Sequence, residues 1–418
     1  MRILLATFWT IPHLGGVWNY MEQLKKKLEK LGHEVDLLGY GEDNTIIHIV
    51  NEGRKIETEK LLPLLRAKMN PENYPALYAN KLVEYTEFQR YAYELGTAYL
   101  GLEKYDLIHT QDVISTACID RVRPRSTPLV ATLHGSVAHE IRHQLKTIHK
   151  SANAYMARAY YDQLEWSGAT AADTTIVANE WLKKILTNEF EVPSEQISVI
   201  HYGFDTKEFI KKMREKNAII RPENKKVIIY SGRITELKGV HHLVTALGEL
   251  KKIRNDWVCW LVGSGDLQEE LKMQSKVLGI QDDLFFFGQR DDVPSIMSKA
   301  DIFVLPSLIE NQPLSLIEAQ LAGKAVIVSD VGGLPEMVEQ KVTGLLTPPS
   351  DPESLCANLE LLLGNDRLRK NISSNAKKWG MSHWSLDVGV RRLVDVYKEA
   401  IARREQGDED ESSHSIHH

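Results

Sequence analysis

Two carboxylates bracket what reads as the start of a helix. Glu310 and Glu318 enclose Asn311-Gln312-Pro313-Leu314-Ser315-Leu316-Ile317, directly after the strand-like run 301–307. Pro313 suits a first helical position, Leu314, Leu316, Ile317 and Leu321 suit a buried face, and Gly323 suits a left-handed stop. Glu310 then belongs to the preceding loop and Glu318 to the second turn. Amides at Leu314 and Ser315 without intrahelical partners would form a phosphate site. A carboxylate repels phosphate but accepts from sugar hydroxyls, so one glutamate could hold a ribose and the other a second sugar. Taken alone, the pair reads more readily in a simpler role, in which both acids merely complement the positive end of the helix.

Other groups fall at the ends of apolar runs. Ser231-Gly232-Arg233 closes one strand-like segment, and Glu236-Leu237-Lys238-Gly239 leads into a helical one. A guanidinium fork and a mobile ammonium could together neutralise a departing diphosphate, although each alone reads equally well as a solvated surface cation. Gly263-Ser264-Gly265-Asp266 is a tight turn with or without a ligand. Gly15-Gly16 would let the backbone approach a ligand closely. His134 follows Leu129–Leu133 and precedes Gly135-Ser136, where a ring can serve a site or satisfy local hydrogen bonds. Asp408-Glu409-Asp410 is the one Asp-x-Asp triplet, and His414, His417 and His418 lie beside it, as metal ligands or as a solvated terminus that is in part an expression remnant.

The elements that must position these groups alternate in type. At 418 residues and 43% hydrophobic, the chain suggests two domains with a core each. Strand-like runs alternate with amphipathic helical stretches, the pattern of parallel sheets covered by helices. Expected strands of the first series are Arg2–Thr7, Glu34–Leu38, Leu107–Thr110, Leu129–Leu133, Thr175–Ala178 and Ile197–His201, with a helix over Asn19–Leu31 and mostly helix over 59–101. The second series comprises Val227–Ser231, Val258–Gly263, Leu284–Gly288, Ile302–Leu305, Ala325–Ser329 and Gly344–Thr347. The expected domains are 1–205 and 206–383, with a polar, basic linker over 206–224, a helix over 384–402 and a disordered tail over 403–418. A net charge of −6 without a long basic block argues against a nucleic-acid binder. Three scattered cysteines form no disulfide or metal pattern and suit a reducing cytoplasm. Met1–Ala6 enters a short strand at once, unlike a signal peptide, and no apolar run is long enough to span a bilayer. Lys60–Lys68 and Arg142–Lys150 mix cations with apolar residues, as a solvated helix face or a peripheral contact at the inner membrane face would.

Gly15-Gly16, Thr132-Leu133-His134-Gly135, Gly203-Phe204-Asp205, Gly232-Arg233 with Lys238-Gly239, and Glu310 with Glu318 occur in this order across both series. Asp330-Val331-Gly332-Gly333-Leu334-Pro335-Glu336 and Thr343-Gly344-Leu345-Leu346 complete the set. From Met1 to about Ile401 the chain resembles glycosyltransferase family 4, retaining enzymes of the GT-B fold. The resemblance implies two Rossmann-like α/β domains facing across a cleft, with the last helix crossing back to the first. It implies a nucleoside-diphosphate sugar as donor, UDP-sugar favoured and GDP- or ADP-sugar left open. Acceptor and oligomeric state are left undefined, the acceptor being a sugar, a lipid-linked or a small molecule. Carried over by position, Arg233, Lys238 and the Leu314 and Ser315 amides bind the diphosphate, and Glu318 binds ribose. Glu310 and His134 contact the transferred sugar, Gly15 and Gly16 admit the donor, and Gln289-Arg290 border the base. The implied chemistry is front-face hexosyl transfer with retention, and the sequence offers no Asp-x-Asp metal site within the folded region. Gln312 departs from the family's usual glycine or aromatic residue and puts the donor-sugar contacts in question. An epimerase or phosphorylase on the same architecture, or a non-catalytic nucleotide-sugar binder, is the alternative.

Overall fold

The structure is a computed structural model that describes residues 1–13, 15–147 and 154–414, without the side chains of 147 and 407–414. The chain divides into two compact units, Met1–His201 with Asp387–His418, and Tyr202–Leu386.

The first unit is built on an eight-stranded sheet of order β4-β3-β2-β1-β5-β6-β7-β8. The strands are β1 (Arg2–Thr10), β2 (Glu34–Tyr40), β3 (Ile46–Ile49), β4 (Arg54–Glu57), β5 (Leu107–Thr110), β6 (Leu129–Leu133), β7 (Thr174–Val177) and β8 (Ile197–Val199). Central strands such as β5 and β6 are buried along their whole length, because helices cover both faces. Only the β2–β3 and β3–β4 pairings are antiparallel, so β3 alone runs against the other strands. This edge hairpin was not expected from the sequence. In β3 only Ile47 and Ile49 are buried, and β4 is largely exposed, so no continuous apolar run announces it.

The second unit carries a six-stranded parallel sheet of order β11-β10-β9-β12-β13-β14. Its strands are β9 (Lys226–Ser231), β10 (Trp257–Val262), β11 (Leu284–Gly288), β12 (Ile302–Leu305), β13 (Ala325–Ser329) and β14 (Leu345–Thr347). Trp257, Trp260, Tyr230 and Phe303 anchor its core.

Three expectations need correction. Residues 206–224 are not a free linker: a helix over Thr206–Lys212 buries Phe209 edge-on to Phe204. Asn217 donates to Ser295 Oγ (2.8 Å) and Arg221 to Asp301 (2.7 Å), so the polar residues lie along the second unit. The boundary falls at Tyr202 and not after 205, because Phe204 N donates to Trp384 O (3.0 Å) and Leu386 N to Phe204 O (3.1 Å) within that unit. The tail from 403 is not disordered through its length. The last helix runs over Leu386–His414, since Ala402-Arg403-Arg404-Glu405-Gln406 are good helix formers and the Arg404 guanidinium pairs with Asp173. Side chains of Asp408, Glu409, Asp410 and His414, and residues His417 and His418, lie outside the described residues, as do residues 148–150 of the Arg142–Lys150 stretch. No described helix is long and apolar enough to cross a membrane.

Candidate active site

Parallel α/β sheets bind ligands at the carboxyl ends of the strands where the strand order reverses. In the second unit that point lies between β9 and β12, and the expected residues gather there. Gly232 and Arg233 follow β9, while Ser307 and Glu310 follow β12. Lys238 Nζ donates to Glu310 Oε1 at 2.5 Å, and Ser307 Oγ donates to the same oxygen at 2.9 Å. Glu310 is 7% exposed, so the ammonium both neutralises a nearly buried carboxylate and orients it. Arg233 is exposed at the same loop, its carbonyl held by the Tyr230 hydroxyl, and its guanidinium has no ion pair among the described residues.

The two glycine positions around this pair follow from close approach. Gly239 has φ +63°, and a Cβ there would lie 2.1 Å from Pro306 O. Gly332 has φ +59°, and its Cβ would meet Glu310 O at 1.8 Å, while Gly333 N donates to that oxygen at 3.1 Å. The Asp330–Glu336 loop therefore grips the Glu310 backbone as Lys238 and Ser307 grip its carboxylate. Gly263-Ser264-Gly265 supports the Arg233 loop: Ile234 N donates to Ser264 O (2.9 Å), and a Cβ on Gly265 would strike Ile234 O.

The helix after Glu310 spans Leu314–Leu321, one residue later than expected. Pro313 is the extended residue before it (φ −71°, ψ 128°), and its carbonyl accepts from Leu316 N and Ile317 N. The amides of Leu314 and Ser315 have no acceptor among the described residues, which suits an anion. Glu318 retains some solvent exposure, yet the protein packed around its carboxyl raises its pKa to about 7, an effect that Lys212 only partly offsets. Gln289 and Arg290 follow β11 at the sheet edge, where Gln289 is exposed and Arg290 forms a two-point pair with Asp292 (2.8 and 2.7 Å). The buried Gln312 amide contacts the backbone of Tyr202, its Oε1 accepting from Tyr202 N and its Nε2 donating to Tyr202 O.

In the first unit the order reverses between β1 and β5. Gly15 precedes the Gly16–Lys30 helix, which lacks a side-chain cap, and a Cβ on Gly16 would meet open space. Tyr20 of that helix packs edge-on against the His134 ring, centroids 5.1 Å apart, bringing the glycine pair and the histidine together. His134 Nε2 contacts Gln111 Oε1 at 3.0 Å; since that oxygen only accepts, Nε2 carries the proton. The surrounding protein lowers the His134 pKa to about 3, so the ring is neutral. Gln111 was missed in the sequence, as were His109 and Asp112. His109 bridges Tyr397 OH and Thr132 Oγ1, both at 2.7 Å, and burial holds its pKa at about 3. Asp112 accepts from Thr7 Oγ1, Phe8 N and Ser115 N, tying β1 to the next helix, while burial raises its pKa. The one signal for Gln111 and Asp112 is their position after β5, at the reversal point, and His109 lies within that strand.

Two family models match the sequence, Glycosyltransferase Family 4 over residues 14–208 and Glycosyl transferases group 1 over residues 211–379. The chain is 26% identical over 411 residues to an uncharacterized glycosyltransferase of Methanocaldococcus jannaschii, covering 96% of this chain and 99% of that protein. It is 27% identical over 316 residues to the UDP-Gal:alpha-D-GlcNAc-diphosphoundecaprenol alpha-1,3-galactosyltransferase of Escherichia coli, covering 73% and 78%. Among solved structures, sucrose-phosphate synthase from Thermosynechococcus elongatus shares the fold with a TM-score of 0.73 at 20% identity, over 96% of this chain and 99% of that one.

Proposed function

The chain belongs to glycosyltransferase family 4 and has the GT-B architecture, and from that premise we propose that it transfers a hexosyl group, with retention and without a divalent cation, from a nucleoside-diphosphate sugar to an acceptor hydroxyl. The observation that carries the proposal is the Lys238–Glu310 pair at the β9/β12 reversal, flanked by the Arg233 guanidinium and two helix amides that have no partners among the described residues. Such a cluster offers fixed positive charge beside one oriented carboxylate.

In this reading the second domain binds the donor and the first the acceptor. Arg233 takes diphosphate oxygens through its fork, and Lys238 shares its ammonium between Glu310 and the departing phosphate. Leu314 and Ser315 amides meet the same charge, so leaving-group stabilisation is electrostatic. Glu310, held by Ser307 and the Gly332-Gly333 loop, accepts from a hydroxyl of the transferred sugar. Glu318, ionised in half the molecules near pH 7, accepts from the ribose hydroxyls. His134, being neutral, acts by hydrogen bonding and not as a cation. The departing phosphate receives the acceptor's proton, so no enzyme nucleophile is needed. Gln289 and Arg290 border the base, and UDP is favoured because the Escherichia coli relative is named for a UDP-sugar.

A thermal-shift panel of UDP-, GDP- and ADP-sugars, run with and without EDTA, tests the proposal. Binding at 100 times Kd stabilises by about 2.7 kcal/mol, enough to raise Tm visibly. Arg233→Ala and Lys238→Ala slow sugar transfer; unchanged rates in both would remove the site assignment.

A further inference from the structure

Gln312 and Gln320 each stand two residues beyond a glutamate of the donor segment. Both side chains are buried; Gln312 bonds one end of the second domain with both of its amide groups, and Gln320 bonds the other end with its carbonyl oxygen alone. Gln312 Oε1 accepts from Tyr202 N (3.3 Å) and its Nε2 donates to Tyr202 O (3.4 Å), while Asn311 Nδ2 donates to the Tyr202 hydroxyl (3.3 Å). Gln320 Oε1 accepts from Trp384 Nε1 (2.7 Å), and its Nε2 donates to Met337 O (2.8 Å). Tyr202 is where the chain comes into this domain, and Trp384 lies just before it leaves.

These two ends also pair with each other through Phe204 and Trp384, and through Leu386 and Phe204. A Cβ on Gly203 would lie 2.6 Å from Leu386 Cα, so a side chain there would force them apart. One helix start, carrying Glu310, the Leu314 and Ser315 amides and Glu318, is thereby tied to both covalent links between the domains.

We infer that Gln312 and Gln320 are positioning residues that transmit occupancy of the donor site to the paired segments Tyr202–Phe204 and Trp384–Leu386. The inference rests on the donor-site reading above. A ligand that immobilises the 310–321 segment suppresses local opening there, and the buried amide bonds of Gln312 to Tyr202 and of Gln320 to Trp384 extend the suppression to the segments they hold. A glutamine serves this purpose because it donates and accepts at once, so Gln312 can satisfy both backbone groups of Tyr202, and Gln320 can join Trp384 to Met337.

Hydrogen exchange of the full chain with and without UDP provides the test. UDP slows exchange at residues 202–204 and 384–386 by at least about threefold in the wild type, a local-stability effect. In Gln312→Ala the effect at 202–204 is lost, and in Gln320→Met that at 384–386, while the Kd for UDP stays within about threefold because neither side chain is assigned a contact in the proposed donor site. If Gln312→Ala does not fold, Gln312→Glu keeps the acceptor for Tyr202 N and loses the donor, and the effect at 202–204 is reduced. Equal protection in wild type and variants, or binding of UDP without protection in the wild type, overturns the inference and leaves the donor site standing. Failure of the wild type to bind UDP, GDP or ADP overturns both.

Discussion

Replacing Glu165 with glutamine should stabilise the first domain at alkaline pH and leave it unchanged in acid. Glu165 lies on the Ala154–Ala171 helix with no solvent exposure. Its Oε2 accepts from Ala138 N (3.0 Å), and the Ser136 hydroxyl and Val137 amide also favour the ionised form, but Oε1 is buried without a hydrogen-bond partner among the described residues. Burial dominates, with a smaller contribution from Glu140, and raises the pKa from 4.5 to about 7. Between these values the unfolded chain has released its proton and the folded chain has kept it. Unfolding therefore releases a proton, and stability falls as pH rises from 4.5 to 7, then levels off. The loss is about 3 kcal/mol. Glutamine remains neutral and keeps an acceptor for Ala138 N, so urea unfolding should show Glu165→Gln gaining up to about 3 kcal/mol over wild type at pH 8 and nothing at pH 4.5. Glu318 contributes the same sign of slope but is present in both proteins, so the difference isolates Glu165. A gap between the two proteins that is the same at pH 5 and pH 8 would refute the argument.

Donor affinity should strengthen with pH, because the proposed site has ribose hydroxyls donating to the ionised Glu318, whose pKa is raised to about 7; between pH 6 and 8 the ionised fraction rises about tenfold, and Kd for a UDP-sugar measured by calorimetry should fall accordingly. Glu318→Gln should bind weakly at every pH, and a parallel pH profile in the variant would contradict the assignment. Lys238→Met leaves the buried Glu310 carboxylate with Ser307 as its one remaining partner among the described residues, so transfer should slow by at least about a hundredfold and stability should fall by about 3 kcal/mol, read from initial rates and chemical denaturation. Gly239→Ala places a methyl against Pro306 O at a left-handed position and should cost about 2 kcal/mol or more, whereas Gly16→Ala, facing open space, should leave Tm unchanged and weaken only donor or acceptor binding.

The parallel strands were legible because helices bury both their faces, which turns Ile302–Leu305 or Ala325–Ser329 into unbroken apolar runs. The hairpin over β3 and β4 escaped notice since an edge needs only Ile47 and Ile49 buried. Arg233, Lys238 and Glu310 could be read from residue type and from their place after a strand. Their pairing could not, as it depends on Gly239 and Gly332 drawing distant backbones together. Gln312 stood out as a departure from the family, but its partner Tyr202 lies 110 residues away, beyond any local pattern. The polar stretch over 206–224 misled for a related reason: composition reports average polarity, while a single residue, Phe209, decides where the segment packs.

The last helix has a consequence for how the protein is made. Tyr397 supplies the hydroxyl that His109 bonds, Arg404 pairs with Asp173, and Asp387 with Lys27, all within the first domain. A ribosome reaches these residues only after synthesising the second domain, residues 202–386, which takes about 10 to 40 s at 5–20 residues per second. During that interval the nascent first domain holds an imidazole with an unfilled partner position, and the later-born domain can finish folding before the earlier one is complete.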